Sequence, residues 1–271
     1  MKRLELFEFE DYKWLPSIIR SGATNLIIVF HKLLGTSDIL AELILDMRSK
    51  VDFNQVVDLG SGSGGAMLEC FKKVNEKNID NPLNLILTDL YPNPNVVAEI
   101  NNRKLPNIQY HSVPTNATHI SEVPSGLKTM IASFHHMSPA IAKQILKSSE
   151  DNMEPILIYE LAKNNVPTLL WWILLPISLI ILFLMSLIMT PFVRPMRFSQ
   201  LLFTYIIPII PIVYAWDGQA SLMRTYTFDD VKELIGDNEN PIYKWEIEDA
   251  KKSNGKNAGY YIKGYPTTSI P

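Results

Sequence analysis

Cysteine is nearly absent from this sequence, which contains a single residue of that type, Cys70. One cysteine excludes an internal disulfide and a cysteine-rich zinc site, and it is typical of a reducing compartment. The sequence also lacks a strong charge of either sign, since its net charge at pH 7 is −3. A chain without a large positive charge is not expected to bind nucleic acid in general. No internal repeat is present, and 271 residues suffice for one α/β domain with an insertion.

Charge is missing altogether from one long stretch. Between Lys163 and Arg194 no residue is charged, and "PTLLWWILLPISLIILFLMSLIMTPF" is long enough to cross a bilayer, since about 20 apolar residues suffice. A second apolar segment, "FSQLLFTYIIPIIPIVYAW", continues to Asp217. A full crossing would carry Arg194 and Arg197 to the far face, against the positive-inside tendency, and prolines interrupt both segments. A membrane hairpin, a re-entrant element, and a lid or dimer element all remain open.

Outside that stretch, short apolar runs alternate with helical patterns. Five runs predict buried strands: "NQVVDLG", "PLNLILTDLYPN", "NIQYHSVPTN", "LKTMIASFHHM" and "EPILIYELA". Two later runs, "IYKWEIEDAKK" and "AGYYIKGYP", predict a hairpin. Strands that alternate with helices predict a parallel, doubly wound sheet. The predicted fold is an α/β, Rossmann-like doubly wound sheet with a terminal antiparallel hairpin, plus an α-helical hydrophobic insertion.

The predicted organisation has four parts. An N-terminal helical cap occupies residues 1–50, and a cofactor-binding Rossmann-like domain follows over residues 51–163. A hydrophobic, membrane-type helical insertion covers residues 164–218. A C-terminal helix and β-hairpin over residues 219–271 complete the Rossmann-like domain.

A glycine-rich turn follows the first predicted strand in "VVDLGSGSGG". Gly60, Gly62 and Gly65 match the pattern G-x-G-x-x-G, which lets a ligand approach the backbone and the start of the next helix. Either a dinucleotide or S-adenosylmethionine would fit such a turn. Asp89 ends the next strand, where it is placed to accept hydrogen bonds from both hydroxyls of a ribose. That position, Asp58 before the first glycine, and the terminal hairpin favour S-adenosylmethionine.

These segments resemble the successive motifs of class I S-adenosylmethionine-dependent methyltransferases. The resemblance rests on "VVDLGSGSGG", "LILTDLYPN", "IASFHHM" and the final "WEIEDA…GYYIKGY", over residues 50–163 and 225–265. More narrowly, "FEFEDYKWLPSIIR", "SFHHMSPAIAKQIL" and "RPMRFSQLLFTYIIPIIPIVYAWDGQASLMRTYT" resemble a bacterial subgroup of these enzymes with a hydrophobic, membrane-type insertion after the fifth strand.

The resemblance implies S-adenosylmethionine as cofactor and assigns its site to Asp58, Gly60, Ser61, Gly62, Gly64, Asp89, Leu90, Asn116 and Ala117. The glycine turn would line the methionine part, and Asp58 would hold its amino group directly or through water. Asp89 would bind the ribose, with Leu90 beside the adenine. Relatives place an acidic residue where this chain has Asn116. The amide oxygen of Asn116 would accept a hydrogen bond from the adenine amine instead.

Two histidines are the predicted catalytic residues. His135 and His136 are expected to close the fourth strand, and the usual pKa of histidine suits a general base near neutral pH. Glu160 ends the fifth strand and is a third candidate, because it would orient a histidine or the acceptor. Structural roles for all three stay open. The side chains of adjacent strand residues point to opposite sides of the sheet, and no carboxylate is spaced so as to complete a metal site with the two histidines. No metal site is therefore predicted.

Polar residues follow the apolar insertion in "WDGQASLMRTY". On a helix, Asp217, Ser221 and Arg224 would share one face. The predicted acceptor site therefore comprises Phe134, Asp217, Arg224 and Tyr226, although a membrane-surface anchor with an Asp–Arg pair is an alternative. The segment "YELAK" matches Y-x-x-x-K of short-chain dehydrogenases, but that motif needs a helix and here it leaves a strand.

The sequence thus predicts an S-adenosylmethionine-dependent methyltransferase acting on a small hydrophobic or lipid-like acceptor. It is expected on the cytoplasmic side of the inner membrane, with the membrane as a partner, no nucleic acid, and a homo-oligomer as an option. Two alternatives stay open: an anchored methyltransferase with a soluble small-molecule acceptor, and a non-catalytic membrane scaffold that retains the fold.

Overall fold

The computed structural model describes residues 1–236 and 240–267. The helices are α1 Ser17–Leu34, α2 Thr36–Lys50, α3 Met67–Glu76, α4 Pro94–Asn102, α5 Pro139–Asp151, α6 Thr168–Met189, α7 Phe198–Leu201, α8 Ile209–Arg224 and α9 Phe228–Ile235. The strands are β1 Gln55–Leu59, β2 Asn84–Thr88, β3 Ile108–Tyr110, β4 Leu127–Ile131, β5 Ile156–Glu160, β6 Tyr243–Lys251 and β7 Asn257–Pro266.

The chain forms two compact units. One comprises Met1–Leu34 and Ala162–Thr227 and is called the apolar unit below. The other comprises Gly35–Leu161 and Phe228–Pro271 and is called the sheet unit.

The sheet unit contains one seven-stranded sheet in the order β3-β2-β1-β4-β5-β7-β6. Strands β1 to β5 are parallel, whereas β7 runs antiparallel to both β5 and β6. The predicted doubly wound sheet with a terminal hairpin is therefore confirmed. Because β1 lies between β2 and β4, the strand order reverses at β1, and ligands of such sheets bind at the carboxyl ends beside that reversal.

The core of the sheet unit explains why these runs became strands. All five residues of β5 are buried, as are Val56 and Val57 of β1, since helices cover both faces of a parallel sheet. Helix α2 packs against this core through Leu40, Ile44 and Met47, which recur at helical spacing. The buried strands thereby hold their carboxyl ends in fixed register.

The apolar unit confirms the prediction of an α-helical hydrophobic insertion. Helix α6 and the turn after it, Thr168–Phe192, are long and apolar enough to cross a membrane, with a mean hydropathy of 2.7. The segment Phe198–Ile206, which continues α7 as a π-helix, meets α8 at an angle of 79°. Pro208 precedes α8 at that bend, where its ring prevents a continuous helix.

Candidate functional site

Four neighbouring strands of the sheet unit end at one edge, and polar residues follow each of them. Gly60 follows β1, Asp89 follows β2, Ser133 comes shortly after β4, and Glu160 is the last residue of β5. Since β2, β1, β4 and β5 are adjacent in the sheet, the four ends form one row.

The turn after β1 is built from glycines in the left-handed region. Gly62 has φ of 53° and Gly64 has φ of 81°, conformations that favour glycine. A Cβ atom on Gly64 would lie 3.1 Å from the Leu68 side chain, whereas one on Gly62 would meet no described atom within 4 Å. The turn is therefore closed towards α3 and open on its other side, where a ligand has room.

Asp58 ties this turn to the sheet. Its Oδ2 accepts a hydrogen bond from the Ser61 hydroxyl at 2.6 Å, and its Oδ1 accepts one from the Thr129 hydroxyl at 2.7 Å. Burial raises the pKa of Asp58 to about 6, although the hydrogen bonds from Ser61 and Thr129 lower it. Asp58 thus joins β1, β4 and the glycine turn through one buried carboxylate.

Asp89 lies directly over the same turn. Its Oδ2 accepts the Gly62 N–H at 3.0 Å, and its Oδ1 accepts the Tyr91 N–H at 2.9 Å. From the other side, the Tyr110 hydroxyl donates to the Gly62 carbonyl oxygen at 3.0 Å. Gly62 is therefore held between β2 and β3, with a carboxylate beside the open face. Leu90, the next residue, is 44% exposed.

The predicted adenine contact involves an amide that is already engaged. The Oδ1 atom of Asn116 accepts hydrogen bonds from the N–H of Thr118 at 3.0 Å and from its hydroxyl at 2.9 Å. Its Nδ2 lies 3.2 Å from Nδ1 of His119. The Asn116 amide therefore shapes its own turn, and the adenine contact of Asn116 and Ala117 stays a prediction.

The two histidines do not lie on a strand, so the prediction that they close β4 is wrong. Ala132 adopts a positive φ of 50°, which ends β4 at Ile131, and residues 134–136 form a 3-10 turn. The rings of His135 and His136 lie on this turn with centroids 4.2 Å apart. The argument against a metal site from opposed side chains therefore fails. Phe134, on the same turn, is fully buried.

His135 is held by Glu160. Oε1 of Glu160 accepts the backbone N–H of His135 at 3.0 Å, and Oε2 lies 2.8 Å from Nδ1 of the ring. Both residues are buried. Because a carboxylate accepts hydrogen bonds, Nδ1 is the nitrogen that donates in this pair, and Nε2 is the atom that a neutral ring would offer as a general base.

Ser133 is a site residue that the sequence analysis missed. Its hydroxyl is buried without a hydrogen-bond partner among the described residues, and it lies 3.7 Å from where a Cβ on Gly60 would be. An orphaned buried hydroxyl is rare and needs an explanation. Its hydroxyl within the otherwise apolar "MIASF" of the fourth run was the available signal. Nothing in the sequence singled out Thr129 or Tyr110.

The predicted acceptor residues of the apolar unit bind its own N-terminal segment. Asp217 accepts the backbone N–H groups of Phe9 at 2.7 Å and Glu10 at 3.2 Å. Arg224 donates to Asp11 at 2.6 Å and lies 3.4 Å from Glu8, so the carboxylates that it pairs with here come from that segment.

Tyr226 is buried beneath the guanidinium group of Arg3, which lies 4.7 Å from the ring centroid. The roles of Phe134, Asp217, Arg224 and Tyr226 towards an acceptor stay predictions. The "YELAK" segment behaves as expected, because Tyr159 lies in β5 and donates its hydroxyl to the Ala258 carbonyl, whereas Lys163 follows the strand.

No family model matches the sequence, and no curated protein matches it at a significant level. Solved structures do resemble it. The plantazolicin methyltransferase BpumL in complex with SAH has a TM-score of 0.49 and 10% identity, covering 92% of this chain and 98% of that one. A SAM-dependent methyltransferase from Aquifex aeolicus has a TM-score of 0.43 and 13% identity, covering 83% and 88%.

A third structure, CurJ carbon methyltransferase, has a TM-score of 0.46 and 11% identity. It covers 86% of this chain and 54% of that one, so this chain spans about half its length. Similarities at such identities concern the fold alone, which the strand order already establishes.

Proposed function

We propose that this chain transfers a methyl group from S-adenosylmethionine to a small hydrophobic or lipid-like acceptor at a membrane. One observation carries the proposal: the open glycine turn after β1 and the buried His135–Glu160 pair after β4 and β5 occupy the same edge of one sheet. A nucleoside site and a general base are thereby brought onto adjacent strand ends.

The residues at this edge fit S-adenosylmethionine. Asp89 offers a carboxylate beside the glycine turn for the ribose hydroxyls, and the turn has open space over Gly62 and Gly65. The unpartnered hydroxyl of Ser133 lies beside Gly60, where a polar ligand would satisfy it. When bound, S-adenosylmethionine supplies a methyl group carried by a positively charged sulfur.

The residues of this chain perform the remaining steps. Glu160 keeps the proton of His135 on Nδ1, so Nε2 takes the proton from an acceptor hydroxyl or amine. Much of the rate comes from holding the acceptor and the methyl group in line, which is worth up to about 7–11 kcal/mol in favourable cases. The buried position of Glu160 and His135 limits competing hydrogen bonds from water.

The apolar unit supports a membrane-associated acceptor. Its helix α6 has exposed apolar side chains along its length, including Ile173, Ile177, Ile180, Ile181, Leu184 and Ile188. Soluble proteins rarely expose a contiguous apolar surface of this kind, which instead marks a membrane or protein interface. We place the protein on the cytoplasmic side of the inner membrane, where the acceptor would be drawn from the bilayer.

The test of this function is methylation of lipid extract by the purified full-length chain with methyl-labelled S-adenosylmethionine. We expect a labelled product in the organic phase and binding of S-adenosylhomocysteine by calorimetry. Label confined to water-soluble products would favour the anchored enzyme with a soluble acceptor. Binding without any transfer would favour the scaffold, and absence of binding would refute the cofactor assignment.

Replacing Asp89 by alanine is expected to weaken S-adenosylhomocysteine binding about 100-fold, because two charge-assisted hydrogen bonds to the ribose are lost. The Gly62 N–H also loses its acceptor, which loosens the turn. Asp80→Ala is the matched control, since Asp80 is exposed and its replacement should leave the affinity unchanged. Titration calorimetry of the two variants with S-adenosylhomocysteine measures the effect. Equal affinities of the two variants would show that Asp89 does not bind the nucleoside.

Cofactor affinity is expected to fall, by at most about tenfold for each pH unit, as the pH drops below about 6, because the protonated Asp58 loses its attraction for the positively charged cofactor. Stability should change in the opposite direction. The folded-state pKa of about 6 exceeds the unfolded value of about 4, so the folded protein holds an extra proton between them. The unfolding free energy therefore decreases as the pH rises through that window.

Titration calorimetry with S-adenosylmethionine and thermal melting of the protein, both from about pH 4 to about pH 7, measure the two trends. Asp58→Asn is the control, because asparagine does not titrate. It should flatten the affinity curve and make the stability curve less steep between about pH 4 and pH 6, where Asp217, whose pKa burial raises to about 7, also contributes. A parental affinity that stays constant across this range would contradict the role of Asp58.

A further inference from the structure

The way that α6 meets a bilayer follows from contacts within the apolar unit. Together with the turn after it, α6 covers 25 residues. In its most apolar stretch of 18 residues, only 22% are buried. Such a helix is about 37 Å long, and a hydrocarbon core is about 30 Å thick. Length alone therefore permits either a crossing or a position within one leaflet.

The chain that follows α6 is bound to α1. The Nε2 atom of Gln200, in α7, donates to the Gly22 carbonyl oxygen at 3.4 Å, and Asn25 donates to Oε1 of Gln200 at 3.3 Å. A Cβ atom on Gly22 would overlap the side chain of Ile210, so α1 and the start of α8 touch closely. Met189 at the far end of α6 and Val193 after it lie in one buried cluster with Ile210.

These contacts limit where the sheet unit can begin. From Asn25 to Leu34, α1 extends only about 14 Å, and Gly35 follows directly as the first residue of the sheet unit. At the other end of α6, the chain from Leu161 to Thr168 reaches at most roughly 24 Å. If α6 crossed a bilayer, one folded sheet unit would need attachment points on both faces. Neither connection permits this.

Ionisable groups beside the middle of α6 give a second, independent argument. A Cβ atom on Gly218 would lie 3.4 Å from Leu182, which is well inside α6. The neighbouring Asp217 accepts the backbone N–H groups of Phe9 and Glu10. A crossing would place this carboxylate and the adjoining acidic segment at the depth of the hydrocarbon core, where charged groups are costly.

The exposed surface of α6 is apolar over a broad arc that includes Ile173, Ile177, Ile181, Leu184 and Ile188, and the opposite side is buried on the protein. This arc gives α6 a surface that can contact lipid in either orientation. The contacts of Gln200 and Asp217 described above therefore decide between a crossing and one leaflet.

Aromatic residues of the N-terminal segment form a cluster with Trp216 of α8. Tyr12 and Trp14 stack with centroids 5.9 Å apart, and Phe7 stacks on Trp216 at 4.8 Å. Trp14 is 64% exposed. Exposed aromatic residues of this type settle at the level of the lipid headgroups. Resting on the membrane association proposed above, we infer that the apolar unit enters one leaflet from the cytoplasmic face and that α6 does not cross the bilayer.

The test is cysteine labelling of the full-length chain in inner-membrane vesicles from expressing cells. Single cysteines replace Asn165, before α6, and Arg197, after it; both are exposed, and the native Cys70 is buried. Glu42→Cys, exposed on α2 of the sheet unit, is the matched control. A membrane-impermeant maleimide is added to inside-out and right-side-out vesicles.

We expect Asn165→Cys, Arg197→Cys and the control to label in inside-out vesicles and to stay unlabelled in right-side-out vesicles. Labelling of Arg197→Cys in right-side-out vesicles would show that α6 crosses and would overturn the inference. Recovery of the chain in the soluble fraction would also overturn it and would favour a lid. Thermal melting of each variant establishes that it is folded. The readout needs no methyl transfer, so failure of the enzymatic proposal leaves it intact.

Discussion

Replacing His135 by glutamine is expected to lower the rate of methyl transfer about 100- to 10,000-fold, the usual contribution of a general base. The affinity for S-adenosylhomocysteine should change by less than about twofold, since a base acts on the transition state. Different residues build the cofactor turn, so the two properties separate. Single-turnover transfer of labelled methyl and calorimetry with S-adenosylhomocysteine measure them.

A second histidine supplies the matched control. His111 lies directly after β3 and is half-buried, and His111→Gln should keep both rate and affinity. If His135→Gln transfers methyl at the parental rate, His135 is not the base. If it loses affinity as well as rate, His135 instead contacts the cofactor or supports the fold. His136→Gln tests the neighbouring ring, and a larger loss there would move the assignment to His136.

Glu160→Gln should reproduce a large part of the His135 effect, about 100-fold. The carboxylate accepts both the backbone N–H and the Nδ1 proton of His135. Glutamine offers one acceptor oxygen and one donor NH₂ group, so one of these hydrogen bonds is lost and the imidazole is driven towards the other tautomer. A rate equal to the parental one would show that Glu160 does not orient the base.

Replacing Gly259 by alanine is expected to destabilise the protein by about 3–5 kcal/mol, near the upper limit for one substitution. Gly259 has φ of 98°, and a Cβ atom there would overlap the Glu160 carbonyl oxygen and lie 3.0 Å from Leu161. Both contacts are to backbone in or after β5, which has no room to move. The melting temperature should fall by roughly 10 °C or more, measured by calorimetry.

Gly255→Ala is the control for the effect of backbone conformation alone. Gly255 has φ of 78°, but no described atom lies within 4 Å of the added Cβ, so about 1 kcal/mol is expected. Equal destabilisation by the two variants would mean that the overlap with β5 is relieved at no cost. Any folded fraction of Gly259→Ala should also transfer methyl slowly, because the displaced residue is Glu160.

The elements of the sheet unit could be predicted because each has a short-range signature. Parallel strands buried on both faces require continuous apolar runs, and β1, β2, β4 and β5 all fall within predicted runs. The run that included the two histidines was extended too far. Its end depended on the positive φ of Ala132, and alanine carries no sequence signal for that conformation.

The cofactor edge was only partly predictable. The glycines and Asp89 follow their strands directly, so topology alone places them together. The hydrogen bond from Thr129 to Asp58 joins residues that are far apart in the sequence. The unpartnered hydroxyl of Ser133 likewise lies beside Gly60, which is distant in the sequence. Such contacts depend on strand register, which no local pattern encodes.

The sequence by itself determined the alternation of strands and helices, the glycine turn and the uncharged insertion, because each depends on the order and polarity of neighbouring residues. Only the tertiary structure decided that Glu160 holds His135, that Asp217 and Arg224 bind the N-terminal segment, and that Gln200 joins α1. Those contacts arise when segments distant in the chain pack together, and the hydrogen bonds they form are selected by the burial of each polar group.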